Sequence, residues 1–189
     1  MQIATIRRTM DKRLFRFRIS TLLVVTTFVA AGISWYINRV MRQPDYKIME
    51  LGGSLAMAPT ITREYLAVDV HAYRLVKPAR WEVVVLDPQE QPTGAYIAKV
   101  LRVIGLPGET VSISGGKIVV DGQPLTPPQH LQQLTFSSGV ADGQTRPHPY
   151  TVPEGHYYLL GDNPVEANDS RMLGAIPQAE ILGRVSGSR

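Results

Sequence analysis

The feature that most limits what this chain can become is the run over residues 19–38, which contains no charged side chain. About 20 mostly apolar residues at helical rise match the ~30 Å hydrocarbon core of a bilayer, so the run predicts one transmembrane helix. Its N-terminal flank carries Arg7, Arg8, Lys12, Arg13, Arg16 and Arg18, whereas the other flank mixes Arg39, Arg42 and Lys47 with Asp45 and Glu50. That asymmetry predicts a cytoplasmic N-terminus and an extracytoplasmic C-terminal domain. Trp35 and Tyr36 stand where an interfacial aromatic belt would, which marks the helix end. A cleaved signal peptide is the rival reading, because a basic segment precedes an apolar run that reaches Ala30, Ala31 and Gly32. The run outlasts an h-region of roughly 7–15 residues, which favours a retained anchor.

The expected organisation is a basic cytoplasmic segment over 1–18, a transmembrane helix over 19–38 and one domain over 44–189. The last is of ordinary domain size and can bury a core. The net charge of +4 comes largely from the cytoplasmic flank, so it speaks for topology and a lipid bilayer as partner, and no nucleic acid is expected. A chain without cysteine has no disulfide, no thiol catalysis and no thiolate metal site. His71, His130, His148 and His156 show no metal-site spacing, so neither a metal nor a cofactor is expected. The oligomeric state stays open.

After the anchor, short runs rich in Val, Ile and Tyr alternate with Gly and Pro signals, which predicts a mainly β domain. Candidate strands lie over 65–70, 81–86, 96–104, 110–113, 118–120 and 156–160. Ser114-Gly115-Gly116 predicts a link between two of them, and Asp121-Gly122 suits a type I′ hairpin turn. Residues 124–153 are rich in Pro, Gln, Thr, Ser and Gly without a period, and they are expected to form a long surface excursion.

Four separated segments carry a resemblance. One is Arg102-Val103-Ile104-Gly105-Leu106-Pro107-Gly108-Glu109; a second runs from Val152 to Asn163 and on through Asp169-Ser170-Arg171 to Gly174. A third holds Ser54, Met57, Pro59 and Thr60, and a fourth is Trp81-Glu82-Val83-Val84-Val85. In this order, behind one anchor, they resemble the bacterial type I signal peptidases, membrane-bound serine endopeptidases that release secreted proteins from their signal peptides. The resemblance implies a signal-peptidase-like β domain and a serine hydroxyl activated by a neutral lysine. Such a lysine acts as a base only when burial lowers its pKa toward the working pH.

The same resemblance places its chemistry on three apolar residues. The nucleophile position is Ala56, the general-base position is Leu101, and the serine that bonds the lysine is replaced by Ala167. These losses are physically consistent with one another, since a hydroxyl orphaned in a buried apolar site costs ~1–3 kcal/mol. Ser54 and Lys99, each two residues before a lost position, are the weak catalytic candidates. The bland readings are an oxyanion-side or turn serine and a lysine that snorkels to solvent. Asp162, Asn163, Asp169, Ser170 and Arg171 carry the chemistry of an acid/base set, but the resemblance implies turn bonds and an Asp/Arg pair that brace the cleft. His156 reads as structural by the same resemblance.

Three functions follow as expectations. The first is a membrane-anchored homologue without peptidase chemistry that still binds extended peptides or secretory preproteins, because strand addition needs no catalytic dyad. The second is an active endopeptidase using Ser54 and Lys99. The third is a membrane-bound assembly or scaffold factor that docks through residues 124–153.

Overall fold

The computed structural model describes residues 12–41, 43–50, 56–62, 65–90, 96–137 and 148–187. The chain divides into two units, Met1–Gln43 and Pro44–Arg189. In the first, helix α1 spans Lys12–Tyr36 and passes into a π-helical turn at Ile37–Met41. The stretch Thr21–Arg39 is long and apolar enough to cross a membrane. Thr26 and Thr27 both donate their hydroxyls to the Leu23 carbonyl, at 2.9 and 2.8 Å, so neither leaves a bare polar atom in the apolar run. The Arg39 guanidinium lies 5.8 Å from the centre of the Trp35 ring, a cation–π contact at the helix end.

The second unit is β-rich. Its strands are β1 (Tyr46–Glu50), β2 (Tyr65–Asp69), β3 (Val83–Leu86), β4 (Gln89–Glu90), β5 (Tyr96–Ile97), β6 (Val100–Gly105), β7 (Thr110–Ser114), β8 (Lys117–Val120), β9 (Gln123–Pro124), β10 (Tyr150–Thr151) and β11 (His156–Leu160). A single helical turn, α2 (Ser170–Leu173), precedes β12 (Ile176–Pro177) and β13 (Ile181–Val185). Seven strands form one sheet in the order β1-β2-β13-β3-β6-β11-β12, four form a second in the order β10-β7-β8-β9, and β4 pairs with β5 alone.

Every residue of β3 and β6 is buried, as β-branched runs at the centre of a sheet with both faces covered should be. The β7–β8 hairpin alternates instead, with Val111, Ile113, Ile118 and Val120 inward. Asp121 and Gly122 both take positive φ, 51° and 77°, the backbone that a type I′ turn demands.

Three features depart from the sequence reading. The run over 96–104 is two strands, not one: β5 pairs with β4, whereas β6 pairs with β3 and β11. Strand β13, which no run of apolar residues announces, lies between β2 and β3. The excursion over 124–153 is not wholly superficial, because Leu131, Leu134 and Phe136 enter the core beside Ile104, Ile113 and Tyr158. Residues 138–147 of that excursion lie outside the described residues.

Candidate functional site

The site is organised by β6 and β11. Side chains alternate along β6, so Val100 and Arg102 leave one face and Leu101 and Val103 the other. Leu101 is 1% exposed and packs in a cluster with Val84, Leu86, Val103, Tyr157, Leu159, Ile176 and Ile181. Leu160, the last residue of β11, pairs with Arg102, and Gly161 follows it. Gly161 is there because nothing larger fits: a Cβ would lie 2.3 Å from the Ala167 Cβ and 2.6 Å from the Ala56 carbonyl oxygen. Ala56 and Ala167 thus close on one point from two loops. The Asn163 amide fixes this closure by donating to the Ala56 carbonyl at 2.9 Å, and the Ala167 amide donates to the Asn163 carbonyl at 3.1 Å. Of the three positions that the resemblance marks as catalytic, Ala56 and Ala167 therefore meet at Gly161, and all three are buried, Ala56 at 8% and Ala167 at 3% exposure. None of the three side chains can attack a carbonyl or accept a proton.

The polar residues of the segment do structural work. Arg102 grips Asp162 with two bonds, Nε to Oδ1 at 2.8 Å and Nη2 to Oδ2 at 2.6 Å, and its Nη1 donates to the Trp81 carbonyl at 2.8 Å. The Thr60 hydroxyl lies against the Asp162 carboxylate and the Met57 carbonyl, which ties the Met57 segment to β6 and to the turn after β11. Asp169 accepts from Arg171 Nε and Nη2 at 2.9 and 2.8 Å, and from the Gly161 amide at 2.9 Å. It also caps α2 through the Arg171 amide at 3.0 Å, while the Ser170 hydroxyl accepts the Leu159 amide at 2.8 Å. The side-chain oxygen of Asn163 takes the Val165 amide at 3.2 Å, a local turn bond. Burial, helped by the negative Asp169, pushes the Tyr158 hydroxyl well above its ordinary pKa.

Of the remaining expected site residues, Met57 is buried with Val83, Val85 and Val100, and Pro59 is exposed. Lys99 precedes β6, is partly exposed, and accepts the Leu86 amide on its carbonyl at 2.8 Å. Ser54 lies outside the described residues, so its pairing with Lys99 does too. The sequence reading missed Arg102 as a bracing residue; an arginine inside an otherwise apolar strand was the available signal. A groove of about 750 Å³ opens on the Arg102 face of β6, opposite Leu101, and is lined by Pro59, Thr60, Ile61, Leu66, Val83 and Leu131 among others.

Comparison with known proteins places these residues in a family. Residues 20–188 match the family described as signal peptidase, peptidase S26. A signal peptidase I from Leptolyngbya laminosa is 34% identical over 136 residues, 69% of this chain and 63% of that protein. Signal peptidase I V of Bacillus subtilis (strain 168) is 31% identical over 148 residues, covering 75% of this chain and 83% of its own. Among solved structures, a signal peptidase I from Enterococcus faecalis V583 shares 29% identity, over 58% of this chain and 97% of that one, with a TM-score of 0.43. The chain thus spans a little under two thirds of the Leptolyngbya relative. With 169 residues matched in one continuous stretch, from the apolar helix to the end of the β domain, the chain belongs to the signal peptidase family, peptidase S26.

Proposed function

We propose that this chain is a membrane-anchored member of the family without peptidase chemistry, which binds extended peptides such as the signal-peptide regions of secretory preproteins. The observation that carries the reading is the burial of Ala56, Leu101 and Ala167, the two alanines meeting at Gly161, with no hydroxyl or amine among the three side chains. Peptide binding draws on main-chain pairing beside the Met57 segment, which the three substitutions leave untouched. The N-terminal helix is the anchor in this reading, and the β domain is extracytoplasmic.

The test compares the purified full chain with a variant carrying Ala56→Ser, Leu101→Lys and Ala167→Ser. The parent should bind a labelled signal peptide without cleaving it, and the triple variant should cleave. Loss of a serine nucleophile alone lowers kcat by about 2 × 10⁶ in a well-studied protease, so residual cleavage by the parent should be undetectable.

The second reading is an active endopeptidase built on Ser54 and Lys99. It draws support from the names of the relatives and from Lys99, which stands two residues before Leu101 and is only partly exposed. Strong cleavage by the parent, abolished by Ser54→Ala or by Lys99→Ala, would establish this reading in place of the first. An assembly role through residues 124–153 has less free surface to draw on than the sequence promises, because Leu131, Leu134 and Phe136 are committed to the core.

A further inference from the structure

The groove of about 750 Å³ on the Arg102 face of β6 shares no lining residue with the closure of Ala56 and Ala167 at Gly161. Leu66, Val83, Leu131 and Val185 line it as buried residues and form its floor, whereas Thr62, His130, Gln133 and Ser186 are exposed and form its rim. Arg102 is buried there too, but its charge is matched by the Asp162 carboxylate that it grips. Among the described residues no acidic side chain lines the groove. A concave site of this size, apolar below with a few hydrogen-bonding groups above, has the usual make-up of a ligand site.

Two walls of the groove are held in different ways. Pro59, Thr60, Ile61 and Thr62 continue directly from Met57, and this wall is pinned by hydrogen bonds: the Thr60 hydroxyl lies against Asp162 and the Met57 carbonyl, which also accepts the Ile61 amide at 2.9 Å. The wall with His130, Leu131 and Gln133 is fastened only at its ends, where the Leu125 amide donates to the Ile118 carbonyl at 2.8 Å and the Phe136 amide to the Gly116 carbonyl at 3.3 Å. Between those ends, among the described residues, hydrogen bonds run within the segment, such as Leu131 amide to Pro128 carbonyl and Leu134 amide to Leu131 carbonyl. The core packing of Leu131, Leu134 and Phe136 holds it in place. A wall held by packing rather than by bonds to its neighbours is one that can yield to a ligand.

We propose that this groove is a second subsite for the bound peptide, in which apolar side chains of the extended chain rest on Leu66, Val83 and Val185 while Thr62, Gln133 and Ser186 meet its main chain. This rests on the peptide-binding reading above and carries it past the Met57 segment, since a chain paired beside Met57 runs on along Pro59–Thr62. The chemistry of the lining selects the occupant. An ionic ligand finds Arg102 already paired and no carboxylate, whereas an extended peptide offers uncharged amides to the rim and, at every second residue, a side chain to the floor.

The probe is a short, water-soluble, fluorescein-labelled peptide spanning the C-terminal end of a signal peptide and the residues that follow it, titrated by anisotropy against the full chain in detergent. Ser186→Tyr and, separately, Gln133→Tyr set a ring into the groove from exposed positions on two different elements, so that instability in one variant does not remove the test. With thermal midpoints kept, each should bind the peptide about tenfold more weakly or worse, the loss expected when an apolar side chain is shut out of its pocket. Replacing the apolar residues of the peptide one at a time by aspartate should weaken binding to the parent at one or more positions that no longer matter to the Ser186→Tyr chain. Equal binding by parent and both variants, or an aspartate scan that is the same for parent and variant, would overturn the subsite and leave peptide binding standing. No binding by the parent would remove the peptide-binding reading and the subsite with it. Peptide binding that weakens as the parent is concentrated, and recovers in Ser186→Tyr, would mean that a second copy of the chain fills the groove, which also sinks the proposal.

Discussion

At the scale of single residues, Leu101, where the resemblance implies a general base, is a core position. It sits among Val84, Val103, Tyr157 and Leu159, so a lysine placed there alone meets no acceptor from Ala56 or Ala167. Burial of that kind depresses a lysine pKa by roughly 3–5 units, which at neutral pH corresponds to about 4–5 kcal/mol, because a lysine whose pKa falls below about 7 is already neutral there. Leu101→Lys alone should therefore lower the denaturant midpoint severely, whereas Leu101→Met, which keeps the volume, should cost less than about 1.5 kcal/mol. Unfolding curves followed by tryptophan fluorescence separate the two; equal midpoints would mean that the position is not packed as described. Tyr73 offers a different handle. Burial first, and then the neighbouring Glu82 charge, raise its pKa far above the ordinary value, so the fold favours the neutral phenol. A folded pKa above the unfolded one gives stability that is complete below about pH 10 and is lost as pH rises beyond it. The thermal midpoint should fall above about pH 10, and Tyr73→Phe should make that fall shallower, at a cost near 1 kcal/mol at neutral pH for the lost bond to Glu82. An unchanged slope in the variant would remove Tyr73 from the account.

At the scale of elements, the Arg102–Asp162 pair joins β6 to the turn after β11, and Thr60 brings in the Met57 segment. Arg102→Leu strands a buried carboxylate and should cost about 3–5 kcal/mol, and adding Asp162→Leu should recover part of that loss. A double variant no more stable than Arg102→Leu would show that the arginine acts through Trp81 instead. How legible these elements are depends on where their causes lie. β3, β6 and β11 could be read because buried β-branched runs and flanking turn residues are local signals. β13 could not, because Ile181-Leu182-Gly183-Arg184-Val185 looks broken by a glycine and a cation. Its logic is remote: a Cβ on Gly183 would lie 2.5 Å from the Asp69 carbonyl oxygen, and Arg184 bonds Glu82, 102 residues away in sequence. The resemblance pointed to Ala56, Leu101 and Ala167, but nothing in the sequence reveals that Gly161 is where the two alanines close. Likewise Leu131, Leu134 and Phe136 lack a period that would mark them as core.

At the scale of the whole molecule, the reading of the N-terminal helix as an anchor raises the question of which side of a membrane the β unit stands on. The apolar stretch Thr21–Arg39 is flanked on its N-terminal side by Arg7, Arg8, Lys12, Arg13, Arg16 and Arg18 without an acid between Lys12 and Arg39. On the other side the flanking cations are only Arg39, Arg42 and Lys47. Each lysine or arginine near a helix end resists translocation, whereas acidic residues contribute little, so six cations against three are the basis for expecting a cytoplasmic N-terminus. The unit Pro44–Arg189 should then be reached by protease added to intact spheroplasts, with a membrane-protected fragment of the N-terminal unit remaining. Reversing the bias, by exchanging Arg7, Arg8, Arg13 and Arg16 for glutamine and adding lysines after Arg42, should reduce that digestion. Complete protection of the parent's β domain until lysis would place it in the cytoplasm, away from any signal peptide emerging on the far side, and the peptide-binding function proposed for it would fall with the topology.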